Sequence, residues 1–232
     1  MSLHPSILFH FTGKESYEKI LIDDFRPSYA RERFDGYTKR KFGVPVVSFM
    51  DIKLSELKVH YDKTQDPKFK YGNYGIGLTK SWAIRQGVNP VFYLNSENMI
   101  LNEFVEECLY LSGKLYKGDE FDSDLFLTYK KFSSMMCFMK SYKGILKRKD
   151  KPQVDDYMFA DEKEWRWLPK CEPPLDIPLL VNYADLKETT PVRIDLDKRL
   201  DKIRLRFTPD DIKYLIVDSE SDILPNHHGP NT

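Results

Sequence analysis

Apolar and polar positions change rhythm several times along the chain, and each rhythm predicts an element. Ile7-Leu8-Phe9-His10-Phe11-Thr12 is a short apolar run of β-formers, the mark of a buried strand, and Gly13 ends it. From Ser16 to Asp23, Tyr17, Ile20 and Leu21 recur at helical spacing, so a helix returns across that strand before Phe25-Arg26-Pro27-Ser28-Tyr29 leaves as a loop. Residues 30–43 carry Arg31, Glu32, Arg33, Lys39, Arg40 and Lys41 with glycines among them, and they read as a mobile surface loop. Val44-Pro45-Val46-Val47-Ser48-Phe49-Met50 restores a strand, with Pro45 near its start where a missing N–H does least harm. Leu54 to Tyr61 reads as a short helix delivering His60. Strands follow at 74–78 and 90–94, separated by a helix from Lys80 to Gln86 that Thr79 caps and Gly87 closes.

The middle of the chain is helical. Glu97 to Leu111 places Ile100, Leu101, Phe104, Val105, Cys108 and Leu109 on one broad face. Phe121 to Lys140 predicts a second, longer helix through Leu125, Tyr129, Phe132, Met136 and Met139, with Met135, Met136 and Met139 as core filler. The pair reads as an insertion, residues 96–141, between halves of a sheet. Tyr142 to Lys149 resumes as a strand with a basic tip, Lys147 to Lys151. Asp161 to Pro169 alternates charge and aromatic, the period of a strand with one polar face, and Cys171 to Pro178 is a proline-rich loop. An apolar segment, Val192 to Leu196, precedes Thr208, which caps a one-turn helix with Pro209 at its first position. Tyr214 to Val217 closes as a strand, and residues 218–232 form a polar tail expected to fray. The elements add up to one α+β domain over residues 1–232, a mostly antiparallel sheet interrupted by a helical pair.

Composition narrows the function classes. A chain of 232 residues can bury a full core, and 14% aromatic content is that of a globular protein. Thirty-six basic and thirty-six acidic residues cancel, which gives no global pull toward nucleic acid or an acidic membrane. Cys108, Cys137 and Cys171 are widely spaced and odd in number, without metal-ligand spacing, and read as free thiols in a reducing compartment. No apolar stretch approaches membrane-spanning length and no signal-peptide pattern opens the chain, so the protein is expected in the cytoplasm with no membrane partner. His227-His228 is too isolated to mark a metal site.

Candidate chemistry gathers at three places. The block Tyr71-Gly72-Asn73-Tyr74-Gly75-Ile76-Gly77-Leu78-Thr79-Lys80-Ser81-Trp82 alternates aromatics and glycines, and glycine in a strand marks a bulge or the close approach of a ligand or another backbone. His10 stands on the opposite strand face from Phe9 and Phe11, either as a satisfied core histidine or as an imidazole that holds a ligand hydroxyl. In Glu162-Lys163-Glu164-Trp165-Arg166, alternation groups Glu162, Glu164 and Arg166 on one face. Either Arg166 pairs structurally with a carboxylate, or Glu164 stabilises positive charge developing on a sugar carbon, as glycosyl transfer requires. The positive excess in residues 30–43 suits phosphates as well as plain solvent exposure. Gly72, Gly75 and Gly77 do not have GxGxxG or P-loop spacing, and neither a nucleophile elbow nor a metal motif is present.

Several of these pieces, in order, resemble the AbiGi family of bacterial abortive-infection proteins. They are Leu8-Phe9-His10-Phe11-Thr12, Phe25-Arg26-Pro27, Val44 to Ile52, Leu54-Ser55 with His60, Tyr71 to Trp82, Gly87 to Val91, and Glu164-Trp165-Arg166. The resemblance covers about residues 8 to 217 and implies the antitoxin half of a two-component phage-resistance system, with a cognate toxin as partner. A more distant resemblance, to ADP-ribosyltransferases, implies a split antiparallel sheet and, as an alternative activity, NAD-dependent transfer to a protein or nucleic acid. Under it His10 would touch the adenine-side ribose, Tyr74 or Tyr71 would stack on nicotinamide, and Glu164 would be the catalytic group on the nicotinamide ribose. Thr12, Ser48, His60, Gly75 and Arg166 complete the ligand-binding candidates, Ser48 standing where some members carry a Ser-Thr-Ser signature. Nucleic-acid binding through Lys147–Lys151 ranks below both readings, because the chain has no net basic charge.

Overall fold

The computed structural model describes residues 6–34, 40–59, 72–95, 99–117, 122–147, 152–170, 177–187 and 190–223. His60, Tyr71, Arg148 to Lys151, Cys171 and His227-His228 lie outside them. A twisted antiparallel sheet forms the body. Its strands are β1 (Ile7–Thr12), β2 (Ser28–Phe34), β3 (Arg40–Met50), β4 (Tyr74–Thr79), β5 (Asn89–Pro90), β10 (Glu164–Trp167), β11 (Val181–Asn182) and β12 (Ile212–Ile216). Their order is β12-β4-β1-β3-β10-β5, and β2 and β11 pair with the first half of the long strand β3. Two satellite ribbons flank the sheet, a parallel pair of β6 (Phe92–Leu94) with β7 (Met139–Ser141) and an antiparallel pair of β8 (Lys143–Leu146) with β9 (Val154–Met158).

Alternation gives the central sheet two different faces. On one, Leu8, Tyr74, Ile76, Leu78, Val47 and Phe49 build the main core, closed by Tyr17 of helix α1 (Lys14–Asp23) and by Trp82 and Ala83 of helix α2 (Lys80–Arg85). Trp165 and Trp167 pack against the same cluster, as the period of their strand requires. The other face carries Phe9, Phe11, Ser48, Glu164 and Arg166. A helical hairpin, α3 (Met99–Lys117) and α4 (Ser123–Cys137), joins the protein on that side. Val105, Cys108, Met136 and Met139 form its core together with Phe42 of β3, and Cys137 packs with Val44 and Val46. Burial pushes the Cys108 thiol up to about 12, and Cys137 Sγ donates to the Leu179 carbonyl at 3.4 Å, so both are inert packing groups.

Several elements differ from the sequence expectation for identifiable reasons. Residues 30–43 are not a loop at their ends: β2 and the first part of β3 pair from Ser28↔Val46 to Phe34↔Arg40. Arg31, Glu32 and Arg33 run consecutively along this ribbon, so the charges that suggested a loop fall on both of its faces, and Gly43 leaves the space that the Leu186 side chain fills. Leu54–Glu56 is a 3-10 turn running on as helix to Val59, where the described residues of this segment end. The expected strand at 90–94 divides at Val91, whose N–H donates to the Glu164 carbonyl, into a piece on the main sheet and a piece on β7. The strand expected from Asp161 starts only at Glu164, since Phe159–Glu162 is a 3-10 turn that Lys163 ends in the left-handed region at φ 43°. Val192 to Leu196, to which the sequence assigns no element type, lies inside helix α5 (Pro191–Leu200), capped by the Thr190 hydroxyl, which accepts from the Arg193 N–H.

Candidate functional site

Glu164 and Arg166 project from β10 toward the helical hairpin, and the local fold fixes them firmly. The Glu164 N–H donates to Tyr93 Oη at 2.7 Å, and its carbonyl accepts from the Val91 N–H at 3.0 Å. Arg166 is fully buried. Its Nε donates to Glu164 Oε1 at 2.8 Å, one terminal nitrogen to the Cys137 carbonyl at 2.7 Å, and the other to Glu32 and, at 3.1 Å, to Glu164 Oε2. Ser48, opposite Arg166 on β3, donates its hydroxyl to Glu164 Oε1 at 2.6 Å. Lys140 of β7 completes the group, donating to Glu164 Oε2 at 2.6 Å and to Glu162 at 2.5 Å beneath the Phe159 ring.

Buried Glu32, Glu162, Glu164 and Arg166 and the partly buried Lys140 therefore form one network of three carboxylates and two cations. Burial opposes the charge on Glu164, but the Arg166 guanidinium and the Lys140 ammonium outweigh it and hold the carboxyl well below the usual carboxylate range. Burial likewise opposes the charge on Lys140, and Glu164, Glu162 and Glu32 outweigh it, so its pKa is raised. Burial raises the Tyr93 phenol, which stays neutral and accepts the Glu164 N–H. With four donors on its two oxygens, Glu164 is an ionised acceptor committed to holding Ser48, Lys140 and Arg166.

His10 sits where β1 and β3 part. The two strands register at Phe9↔Met50, and one residue on His10 Nδ1 bonds the Ser48 carbonyl at 2.8 Å, a side chain standing in for a ladder hydrogen bond. Burial lowers its pKa more than the Ser48 hydrogen bond raises it, so the ring is neutral at pH 7. The carbonyl acceptor places the ring proton on Nδ1 and leaves Nε2 an acceptor. Phe25 and Phe49 hold the ring by their edges, with centroids 5.1 and 5.8 Å away.

A cavity of about 620 Å³ opens over these groups, and His10, Ser48, Glu164, Lys140, Glu162 and Glu32 line it together with Arg31, Lys41, Lys147, Tyr183 and Arg193. Of the sequence candidates, His10, Ser48 and Glu164 meet here, with Arg166 directly behind them. Thr12, Tyr74 and Gly75 do not line it. Tyr74, paired with Thr12 across β1 and β4, packs its ring on Tyr17 at 5.4 Å and donates its hydroxyl to Asp222 at 2.8 Å. Lys14 also bonds Asp222, so this residue of the tail expected to fray is tied to α1 and β4. The glycines of β4 face aromatic rings rather than a ligand: a Cβ on Gly77 would stand 2.8 Å from the Phe9 ring, and one on Gly75 would stand 3.0 Å from the Phe11 ring. Glu32 and Lys140 escaped the sequence reading, because one lies in a charged run and the other at the end of an apolar helix pattern. Among the described residues no group of three His, Cys, Asp or Glu has metal-holding geometry, and no helix is long and apolar enough to cross a membrane.

Comparison with known proteins gives one consistent result. The family model for the abortive phage resistance protein AbiGi, described as an antitoxin, matches residues 23–218. The abortive phage resistance protein AbiGi of Lactococcus lactis subsp. cremoris is 28% identical over 192 residues, which cover 78% of this chain and 74% of that protein. No solved structure matches, so the likeness to ADP-ribosyltransferases has no structural neighbour behind it.

Proposed function

The chain belongs to the AbiGi family of abortive phage resistance proteins, and on that premise we propose that it is an antitoxin that restrains a cognate toxin by direct binding. The observation that carries the proposal is the extent of the family match. Residues 23–218 take in most of the sheet, the helical hairpin and the charged network, so what the family shares is the whole framework and not one loop. The chemistry of the network supports a binding role. Glu164 carries a full set of donors and a depressed pKa, which suits a group that fixes a surface better than one that moves protons. The partner is therefore expected to recognise a rigid, preorganised surface, at a smaller ordering cost than a flexible one would carry.

Co-expression with the product of a neighbouring gene, as the candidate toxin, tests the proposal. The chain should relieve the toxin's growth arrest, and the two proteins should elute together from a sizing column. Arrest that persists, or relief with no complex at micromolar concentrations of both proteins, would overturn it.

A further inference from the structure

The cavity carries cations that the carboxylate network leaves alone. Arg31, Lys41 and Lys147 line it, and among the described residues none of the three has a carboxylate partner. Arg31 donates to the Leu186 carbonyl at 2.9 Å and stands 5.2 Å from the centre of the Tyr183 ring, while Lys41 stands 5.7 Å from the same ring. Two like charges thus share one aromatic platform with no counter-ion among the described residues, an arrangement that an anion placed between them would relieve. The pairing Arg33↔Lys41 and Arg31↔Gly43 sets Arg31 and Lys41 on one face of the β2–β3 ribbon and Glu32 on the other. Consecutive residues Tyr29 to Arg33 all line the cavity, so residues of both faces of β2 border it.

The same lining offers open acceptors as well. Among the described residues nothing donates to His10 Nε2 or to the Glu32 oxygen that Arg166 does not take. A ligand that matches both sets of groups has an anionic end and, at the other end, hydrogen-bond donors.

We propose that this cavity binds a small phosphorylated ligand of the nucleoside phosphate class, with its phosphates on Arg31, Lys41 and Lys147 and its base or sugar donors on His10 and Glu32. The volume, about 620 Å³, lies within the usual range of about 300–1,000 Å³ for sites that enclose such molecules. Phosphate oxygens suit a guanidinium beside an ammonium, and the open acceptors on His10 and Glu32 suit amino and hydroxyl groups. The inference does not depend on toxin binding. It gives a role to the positive run in β2 and β3.

Titration calorimetry of the full chain with adenosine diphosphate, pyrophosphate and adenosine separates the cationic groups from the acceptors. Adenosine diphosphate should bind at least about tenfold more tightly than either fragment, a factor worth about 1.4 kcal/mol. Lys41→Ala and Lys147→Ala should each weaken adenosine diphosphate and pyrophosphate severalfold and leave adenosine unchanged. Lys213→Ala, on β12 at the far edge of the sheet, should change nothing. No binding of the diphosphate at millimolar concentration would overturn the proposal, as would diphosphate binding no tighter than pyrophosphate, which marks a bare anion site. Affinity unchanged in both lysine variants would overturn it too.

Discussion

Glu164 shows how much one side chain can hold together when every hydrogen-bonding position is filled. It links Ser48 of β3, Lys140 beyond the helical hairpin and Arg166 of its own strand, groups that are up to 116 residues away in the chain. A buried carboxylate is costly alone and stable only when its partners repay the lost hydration. The cost therefore returns when the charge is removed. The folded pKa of Glu164 lies below its ordinary 4.5, so the unfolded chain takes up this proton first on acidification. Stability from Glu164 is full above about pH 5 and drains away as pH falls through 4.5 toward the folded value. Glu164→Gln should lower stability by about 3–5 kcal/mol at pH 7, because Arg166 and Lys140 keep their charges while losing a carboxylate. It should also flatten the loss between about pH 5 and 3. Urea unfolding at stepped pH reads both effects, and a Gln variant with the wild-type acid slope would place the sensitive carboxylate elsewhere. Lys140, with its pKa raised, contributes fully below about 10.5 and loses that contribution only as pH rises through its folded value, so this network is steady through neutrality.

Among the elements, β4 is the most demanding in sequence. Its face toward the core is Tyr74, Ile76 and Leu78, and its other face is bare at Gly75 and Gly77 so that the Phe9 and Phe11 rings can lie across it. Those two rings stack at 5.9 Å, and Tyr214 of β12 continues the stack from the far side at 6.1 Å from Phe9. The aromatics cover a backbone that glycine would otherwise leave thinly packed. An added methyl at Gly77 meets Phe9 at 2.8 Å, Tyr214 at 3.1 Å and Ile7 at 3.2 Å, contacts in which at least the ring must shift. Gly77→Ala should destabilise the protein by about 1–3 kcal/mol, the usual cost of overpacking. Phe9→Leu in the same chain should recover part of that loss although it is destabilising alone, a coupling that a double-mutant cycle measures. Strict additivity would mean that the ring moves aside freely and that the glycine serves another purpose.

For the whole molecule, the helical hairpin is the second layer of the fold. Phe42 enters its core, Cys137 packs among Val44 and Val46, and the Cys137 carbonyl receives Arg166 at 2.7 Å. Sheet and hairpin therefore share both apolar burial and the charged network, which predicts a single cooperative unfolding step. The protein supplies its own reporters. Its three tryptophans, Trp82, Trp165 and Trp167, all lie in or against the main core, whereas far-ultraviolet ellipticity is weighted to α3 and α4. Fluorescence and ellipticity should give superimposable urea curves. An ellipticity transition that precedes the fluorescence change would show that the hairpin opens independently.

Burial leaves its mark on sequence as periodicity, and periodicity is local. Ile7–Thr12, Val44–Met50 and the alternation of Glu164 to Trp167 state their strands and faces within a few residues, and Met136 and Cys108 declare the buried side of the helical pair. The sequence by itself determined the mixed α+β class, the mostly antiparallel sheet and the grouping of Glu164 with Arg166. It could not determine that Arg31, Glu32 and Lys41 belong to strands. A charged edge ribbon has the composition of a loop, and only pairing with β3 and the fit of Leu186 against Gly43 order it. Nor could it assign Tyr74 to Tyr17 and Asp222 instead of a ligand, since an aromatic beside glycines suits a core and a cleft equally. The cavity belongs to tertiary structure alone. Its walls come from segments between residues 9 and 193, and charges so far apart in sequence interact only after the chain has brought them within a few ångströms and excluded the water between them.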